Sequence, residues 1–113
     1  MASLGFGLVV RFSLRPGSED AFDRLVSETV QLIGEREPGT LIYAVHEVED
    51  DPAGRVFYEL YRDRAAFDEH ETQPHVRRFL SERERYFSGP PRVEFLTLRS
   101  GAGPAVSSVA RGG

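Results

Sequence analysis

The pattern of apolar positions predicts four β-strands. Residues 6–14 alternate strictly, with Phe6, Leu8, Val10, Phe12 and Leu14 on one face. Residues 55–62 alternate in the same way, whereas residues 40–49 are apolar on both faces until the segment nears a loop. The fourth strand is predicted over residues 93–99.

The segments between these strands have apolar residues at helical spacing. Ser18 is a candidate N-cap for a helix that ends near Arg36, because a Pro-Gly pair follows. Asp63 can cap a short second helix, and Pro74 begins a third, since proline is favoured in the first turn. The inward positions of these two helices are Phe67, His70, Val76, Phe79, Leu80 and Phe87.

Two stretches lack such a pattern. Residues 50–54, Asp-Asp-Pro-Ala-Gly, predict a turn between the second and third strands. Residues 100–113 contain mainly Gly, Ala, Ser and Val, and we interpret them as a flexible tail or an arm. The domain is therefore predicted to span residues 1–99.

This order of elements predicts an α+β fold of the ferredoxin-like kind, a four-stranded antiparallel sheet with its helices on one face. Right-handed crossovers place both helical layers on the same side of the sheet. The other face would then expose apolar residues of the second and third strands, which is rare on a monomer. We expect a homodimer that buries this face; the alternative is that the tail or a loop covers it.

Composition narrows the function classes. A chain of 113 residues with 40% hydrophobic and 28% charged residues is ordinary for one globular domain. No membrane-spanning run or signal peptide is visible, so we expect a cytoplasmic protein without a membrane partner. The absence of cysteine and lysine excludes thiolate and Schiff-base chemistry. A net charge of −4 argues against nucleic acid as a partner.

Four short runs resemble the antibiotic biosynthesis monooxygenase family. They are EPGTLIY (37–43), VFYELYRD (56–63), AAFDEH (65–70) and QPH (73–75). The resemblance extends over residues 6–99 and implies a dimeric α/β barrel with a cavity in each subunit. Some members oxidise quinols or anthrones with O2 and without a cofactor. Haem-degrading relatives need Asn and Trp where this chain has Val10 and Tyr61, so that activity is not expected.

Glu59, His70 and His75 are the candidate catalytic residues. Glu59 and Tyr61 share one face of the third strand, and a buried carboxylate needs a partner. His70 and His75 are near in sequence, and a Glu-His pair can move a proton near neutral pH. The alternative is that this pair only docks the helices on the sheet. The same three residues have the types of an iron site, but nothing in the sequence fixes them together.

Aromatic residues are the candidates for binding a substrate ring. They are Phe12, Tyr43, Phe57, Tyr61, Phe67 and Phe79. Arginines alternate with glutamates along the last helix: Arg77, Arg78, Arg83 and Arg85 with Glu82 and Glu84. A solvent-exposed face with salt bridges is the ordinary interpretation, and a clamp for a carboxylate or phosphate is the alternative.

These observations lead to one functional hypothesis and two alternatives. The hypothesis is a monooxygenase without metal or other cofactor, which oxidises a small quinol or polyketide-like phenol with O2. The first alternative is an isomerase or cyclase of an enolisable metabolite, and the second is a dimeric protein that only binds a small molecule. Fold alone does not choose among them.

Overall fold

The computed structural model describes residues 5–107, which form a four-stranded antiparallel sheet with its helices on one face. The order of strands across the sheet is β2-β3-β1-β4. The elements in chain order are β1 (Phe6–Ser13), α1 (Glu19–Arg36), β2 (Thr40–Val48), β3 (Asp51–Tyr61), α2 (Arg64–Thr72), α3 (Pro74–Glu82), a 3-10 segment (Arg83–Tyr86) and β4 (Arg92–Thr97). The predicted ferredoxin-like fold is confirmed.

Each strand overlaps the segment that the hydrophobic pattern predicted for it, and one face of each central strand contacts the helices. In β1, Leu8, Val10 and Phe12 are buried, and in β3, Phe57 and Tyr61 are buried on the same side. Aromatic rings dominate this core. Phe12, for example, stacks on Phe87 with 4.8 Å between ring centroids.

The predicted turn at residues 50–54 is wrong. The connection is shorter, because β3 begins at Asp51 and the turn is made at Glu49 and Asp50. Asp50 has φ 64°, a left-handed conformation that aspartate tolerates. Residues 52–54 interrupt the regular pairing of β3 with β2. Pro52 is tolerated there because such an irregularity needs no ladder hydrogen bond from the backbone nitrogen of the proline.

Two other boundaries differ from the prediction. α3 ends at Glu82 and the chain continues in the 3-10 segment, which brings Phe87 into the core by a different route. β4 ends at Thr97. Residues 104–107 form a helical turn within the predicted tail, and residues 108–113 lie outside the described part of the chain.

The outer face of the sheet is partly covered. Leu60 points to this face and is only 1% exposed, and the side chains of Leu60 and Leu98 both lie beside Gly5. Farther along the face, apolar residues stay half-buried: Val9, Ile42, Ala44, Val56 and Tyr58. Among residues 5–107, no helix has the length and apolar character needed to cross a membrane.

Candidate active site

A cavity of about 280 Å³ lies between the helix face of the sheet and helices α2 and α3. Its walls are mostly apolar, and its polar residues come from β2, β3, α2 and the 3-10 segment: Tyr43, Glu59, His70, Glu71 and Arg83. Strand β4 forms one rim, where Val93 is 42% and Phe95 62% exposed. The cavity is close to the lower end of the size range of small-molecule sites.

Two histidines share one buried carboxylate beside this cavity. Glu37 follows α1, and its Oε1 lies 2.6 Å from Nδ1 of His70 on α2. Its Oε2 lies 2.5 Å from Nε2 of His75 on α3. Thr40 donates a further hydrogen bond of 2.8 Å to Oε1. The carboxylate therefore ties the end of α1 and the start of β2 to both short helices.

The electrostatics of this cluster favour an ionised Glu37. Burial opposes ionisation, but the hydrogen bonds from His70 and Thr40 outweigh it, and the pKa of Glu37 is lowered. Because a carboxylate only accepts, Nδ1 of His70 and Nε2 of His75 must carry the hydrogens. His70 also lines the cavity, so its Nε2 is the ring nitrogen left to contact a ligand.

Glu59 is the second buried carboxylate, and it lies in the cavity wall. It is 5% exposed, and its Oε1 accepts a hydrogen bond of 2.5 Å from the hydroxyl of Tyr61. Burial raises the pKa of Glu59 more than the bond from Tyr61 lowers it. The same burial and the nearby Glu59 raise the pKa of Tyr61, so its phenol stays protonated. Glu59 can therefore stay protonated at a pH at which an exposed carboxyl group is ionised.

The expected pairing of Glu59 with a histidine is wrong, because Glu37 binds both histidines. His70 and Glu59 both line the cavity, whereas His75 does not. His75 is buried between Glu37 and the core, and its Nδ1 has no hydrogen-bond partner among the described residues. Of the three residues predicted from the sequence, Glu59 and His70 therefore line the cavity, whereas His75 supports Glu37.

The predicted aromatic residues are divided in the same way. Tyr43, Phe57, Phe67 and Phe79 line the cavity. Phe12 and Tyr61 do not line it and are packed within the core, at 1% and 0% exposure. The alternating pattern that suggested them marks the correct face of the sheet but does not separate the cavity wall from the core behind it.

Sequence reasoning missed two residues of the site. Glu37 had no local signal, since it lies 33 residues before His70. Arg83 was interpreted with its neighbours as part of a solvent-exposed face, with a carboxylate or phosphate clamp as the alternative, although its spacing from Val76, Phe79 and Leu80 continues their helical face. Extension of this helical face by one turn predicts that Arg83 lies on it.

The iron alternative is not supported by the geometry. Within residues 5–107, no three His, Asp or Glu side chains converge as a group able to hold a metal ion. Glu59 is not part of the Glu37 cluster, so the three proposed ligands are not assembled.

A larger groove of about 510 Å³ lies between α1 and β2, but it holds less reactive chemistry. Its buried cation, Arg55, is already bound to both carboxylate oxygens of Asp23, at 2.9 and 2.8 Å. Two backbone carbonyls, of Pro52 and Gly54, accept from the same guanidinium. This arginine is satisfied within the chain, and we therefore place the candidate site in the smaller cavity.

Solved structures share this architecture. Rv0793 of Mycobacterium tuberculosis superimposes with a TM-score of 0.80 at 26% identity, covering 88% of this chain and 99% of that one. PA3566 of Pseudomonas aeruginosa has a TM-score of 0.77 at 24% identity, with 88% and 99% covered. A Caulobacter crescentus CB15 protein, described as a candidate antibiotic biosynthesis monooxygenase, has a TM-score of 0.82 at 18% identity, with 87% and 92% covered.

The sequence comparisons agree with the fold. The uncharacterized protein sll1783 of Synechocystis sp. (strain ATCC 27184 / PCC 6803 / Kazusa) is 27% identical over 85 residues, which are 75% of this chain. The aligned segment spans 57% of that relative. The model of the family described as antibiotic biosynthesis monooxygenase matches residues 5–82, from β1 to the end of α3. The chain belongs to the antibiotic biosynthesis monooxygenase family.

Proposed function

We propose that the protein is a cofactor-independent monooxygenase, which oxidises a small quinol or polyketide-like phenol with O2. The observation that carries this proposal is the His70 ring at the wall of an apolar cavity, with its Nδ1 bound to a buried carboxylate. Family membership supports the same reaction class. The apolar wall suits an aromatic ring and limits water around it.

His70 is the base in this proposal. Glu37 holds the ring by Nδ1, so Nε2 is free to accept the proton of a ligand hydroxyl. The positive charge that forms on the ring is then stabilised by the ionised Glu37, as in other carboxylate–histidine pairs. His75 has the role of a positioning residue, because it fixes the second oxygen of Glu37.

Glu59 receives the second hydroxyl of the ligand in this proposal. A carboxyl group with a raised pKa can donate or accept a hydrogen bond in the cavity, and Tyr61 fixes one of its oxygens. Loss of the hydroxyl proton to His70 gives an electron-rich anion that reduces O2 directly. One oxygen atom enters the ring and the other leaves as water, so that quinol and O2 give a hydroxyquinone and water.

Oxygen uptake tests this function. The metal-stripped protein is mixed with a panel of hydroquinones and anthrones, and each rate is compared with the autoxidation blank. We expect uptake above the blank, and we expect His70→Ala to lower it by about 100-fold, the lower end of general base contributions. Glu69→Ala is the control on the same helix, since Glu69 is exposed and does not line the cavity, and it should retain full activity.

Three outcomes would redirect the proposal. Turnover that continues without O2 would favour an isomerase or cyclase that uses the same base. Saturable binding without any product in mass spectra would favour a binding protein. An uptake that His70→Ala leaves unchanged would remove His70 as the base.

We also propose that the protein acts as a homodimer through the outer face of the sheet. The half-buried apolar residues of that face, from Val9 to Tyr58, support this assembly because solvent exposure of such a surface is unfavourable. A second copy facing it would complete a barrel of two sheets, as the family resemblance implies.

A further inference from the structure

Arg83 differs from the other arginines near the end of α3. Arg78 binds Glu82 at 2.6 Å and lies 3.3 Å from Glu28, as expected for an exposed helix face with salt bridges. The side chain of Arg83 has no hydrogen bond or ion pair within residues 5–107. Its Nε atom is buried without a partner, which is costly for a charged group.

Aromatic rings hold the Arg83 side chain in place. Its guanidinium carbon lies 5.5 Å from the ring centroid of Phe12, 5.8 Å from that of Phe79 and 5.7 Å from that of Phe87. Contacts of this kind fix a cation but do not neutralise it. Burial lowers the pKa of Arg83 below its ordinary value.

Arg83 lines the same cavity as His70 and Glu59. Glu59 is the buried carboxyl group of that cavity, but its bonded oxygen accepts from Tyr61, and no ion pair joins it to Arg83. Glu71, at the rim, is exposed to water. The fold therefore places a fixed cation in the wall of a largely apolar cavity, and no carboxylate of residues 5–107 lies within ion-pair distance of it.

We propose that Arg83 binds the carboxylate of the ligand, and that the ligand class is a hydroxylated aromatic carboxylic acid. The inference rests on the proposed use of this cavity for a hydroxyaromatic ring and names the substrate class more closely. A guanidinium is well suited to a carboxylate, since its planar N–H groups match the two oxygens. The carboxylate at Arg83 would fix the ring between Tyr43 and Phe79 and direct its hydroxyl toward His70.

Binding under anaerobic conditions tests this inference without any need for turnover. The probes are 2,5-dihydroxybenzoate and its neutral isostere 2,5-dihydroxybenzamide, measured by isothermal titration calorimetry. We expect the acid to bind the wild type at least about tenfold more tightly than the amide, which is about 1.4 kcal/mol. In Arg83→Gln the acid/amide ratio should fall to about one, whereas Arg83→Lys should retain part of the preference because the charge remains.

Arg85→Gln is the matched control. Arg85 lies in the same 3-10 segment but is exposed and does not line the cavity, so its removal should leave the ratio unchanged. Circular dichroism checks the fold of each variant. If Arg83→Gln does not fold, the comparison of acid with amide on the wild type and on Arg83→Lys decides the question.

Three results would overturn the inference. They are equal binding of acid and amide by the wild type, the same ratio in wild type and Arg83→Gln, and no binding of the acid. In the second case Arg83 only stabilises the aromatic core. Acid-selective binding without oxygen uptake would support the carboxylate site and reject the monooxygenase proposal, so the two failures are distinguishable.

Discussion

At the scale of single residues, the site is organised by two carboxylates with opposite electrostatic tendencies. Three hydrogen bonds to Glu37 keep it ionised despite its burial. Glu59 has one such bond, and burial therefore dominates and raises its pKa. One carboxylate can orient a histidine while the other can hold a proton, a division that is common where acid–base chemistry occurs.

Replacement of Glu37 should destabilise the fold. Glu37→Gln presents an amide N–H₂ to a histidine N–H, so at least one buried donor loses its acceptor, at a cost of about 1–3 kcal/mol. The folded pKa of Glu37 lies below its unfolded value, so its stabilisation is present above the unfolded pKa and is lost as the pH falls through the folded pKa. Urea unfolding at several pH values measures both effects.

The exposed turn residue Glu49 provides the charge control for this experiment. Glu49→Gln should change the free energy of unfolding by less than about 0.5 kcal/mol, as is usual for surface substitutions. A Glu37→Gln variant as stable as Glu49→Gln, with the same acid dependence as the wild type, would show that the cluster does not stabilise the fold.

Replacement of Glu59 by glutamine should instead stabilise the fold at high pH. The folded pKa of Glu59 is raised, so folding favours the protonated form and becomes less favourable as the pH rises through that value. A neutral glutamine still has an oxygen that accepts the hydrogen bond from Tyr61, and it avoids the cost of burying an ionised carboxylate. We expect the variant to gain on the order of 1 kcal/mol over the wild type at pH 8 and less at pH 5. A gain that is larger at pH 5 would contradict this assignment.

At the scale of elements, the site depends on the close approach of α2 to the junction between α1 and β2. A Cβ atom on Gly39 would lie 2.7 Å from Cβ of Ala66, so only glycine fits there without a shift of α2. Asp63 caps the same helix, with its Oδ1 accepting from the Ala66 amide at 2.9 Å. Because α2 carries His70, this packing sets the distance from His70 to Glu37.

Alanine at two glycines should therefore have effects of opposite sign. Gly39→Ala should cost about 1–3 kcal/mol, as over-packing does, and should also lower activity because α2 moves. Gly34→Ala, in α1 with no neighbouring atom within 4 Å of the added Cβ, should gain about 0.5–1 kcal/mol from helix propensity. Thermal unfolding of the two variants, followed by circular dichroism, measures both; a stabilising Gly39→Ala would refute the close approach.

At the scale of the whole molecule, the sheet has two different faces. The helix face holds the core and the cavity, whereas the outer face holds half-buried apolar residues and one covered leucine. Val9 and Tyr58 are cross-strand partners on the outer face, in the middle of the sheet. Their position makes them the best reporters of the proposed dimer.

Glutamates at positions 9 and 58 should prevent the dimer from forming. We expect light scattering after size exclusion to give twice 12.7 kDa for the wild type and 12.7 kDa for the Val9→Glu, Tyr58→Glu double variant. Two buried glutamates facing a partner are strongly unfavourable. Ser27→Glu with Gln31→Glu, both on the exposed side of α1, adds the same charge and should leave the mass unchanged. A wild type that elutes as a monomer would reject the assembly.

The sequence by itself determined the order of the elements, the alternating faces of β1 and β3 and the family resemblance. These properties depend on local periodicity and on short runs, which are visible along the chain. It also found both cavity-facing members of the proposed catalytic set, Glu59 and His70, because each lies on an apolar face.

Only the tertiary structure decided which charges meet. Glu37 reaches histidines 33 and 38 residues away, and Arg83 lies in the cavity while Arg78, five residues earlier, forms surface ion pairs. The short turn at Asp50 likewise formed because β1 also pairs with residues that seemed to belong to the turn. Periodicity specifies the direction of a side chain from its own element, but partners are set by the packing of elements that are distant in sequence.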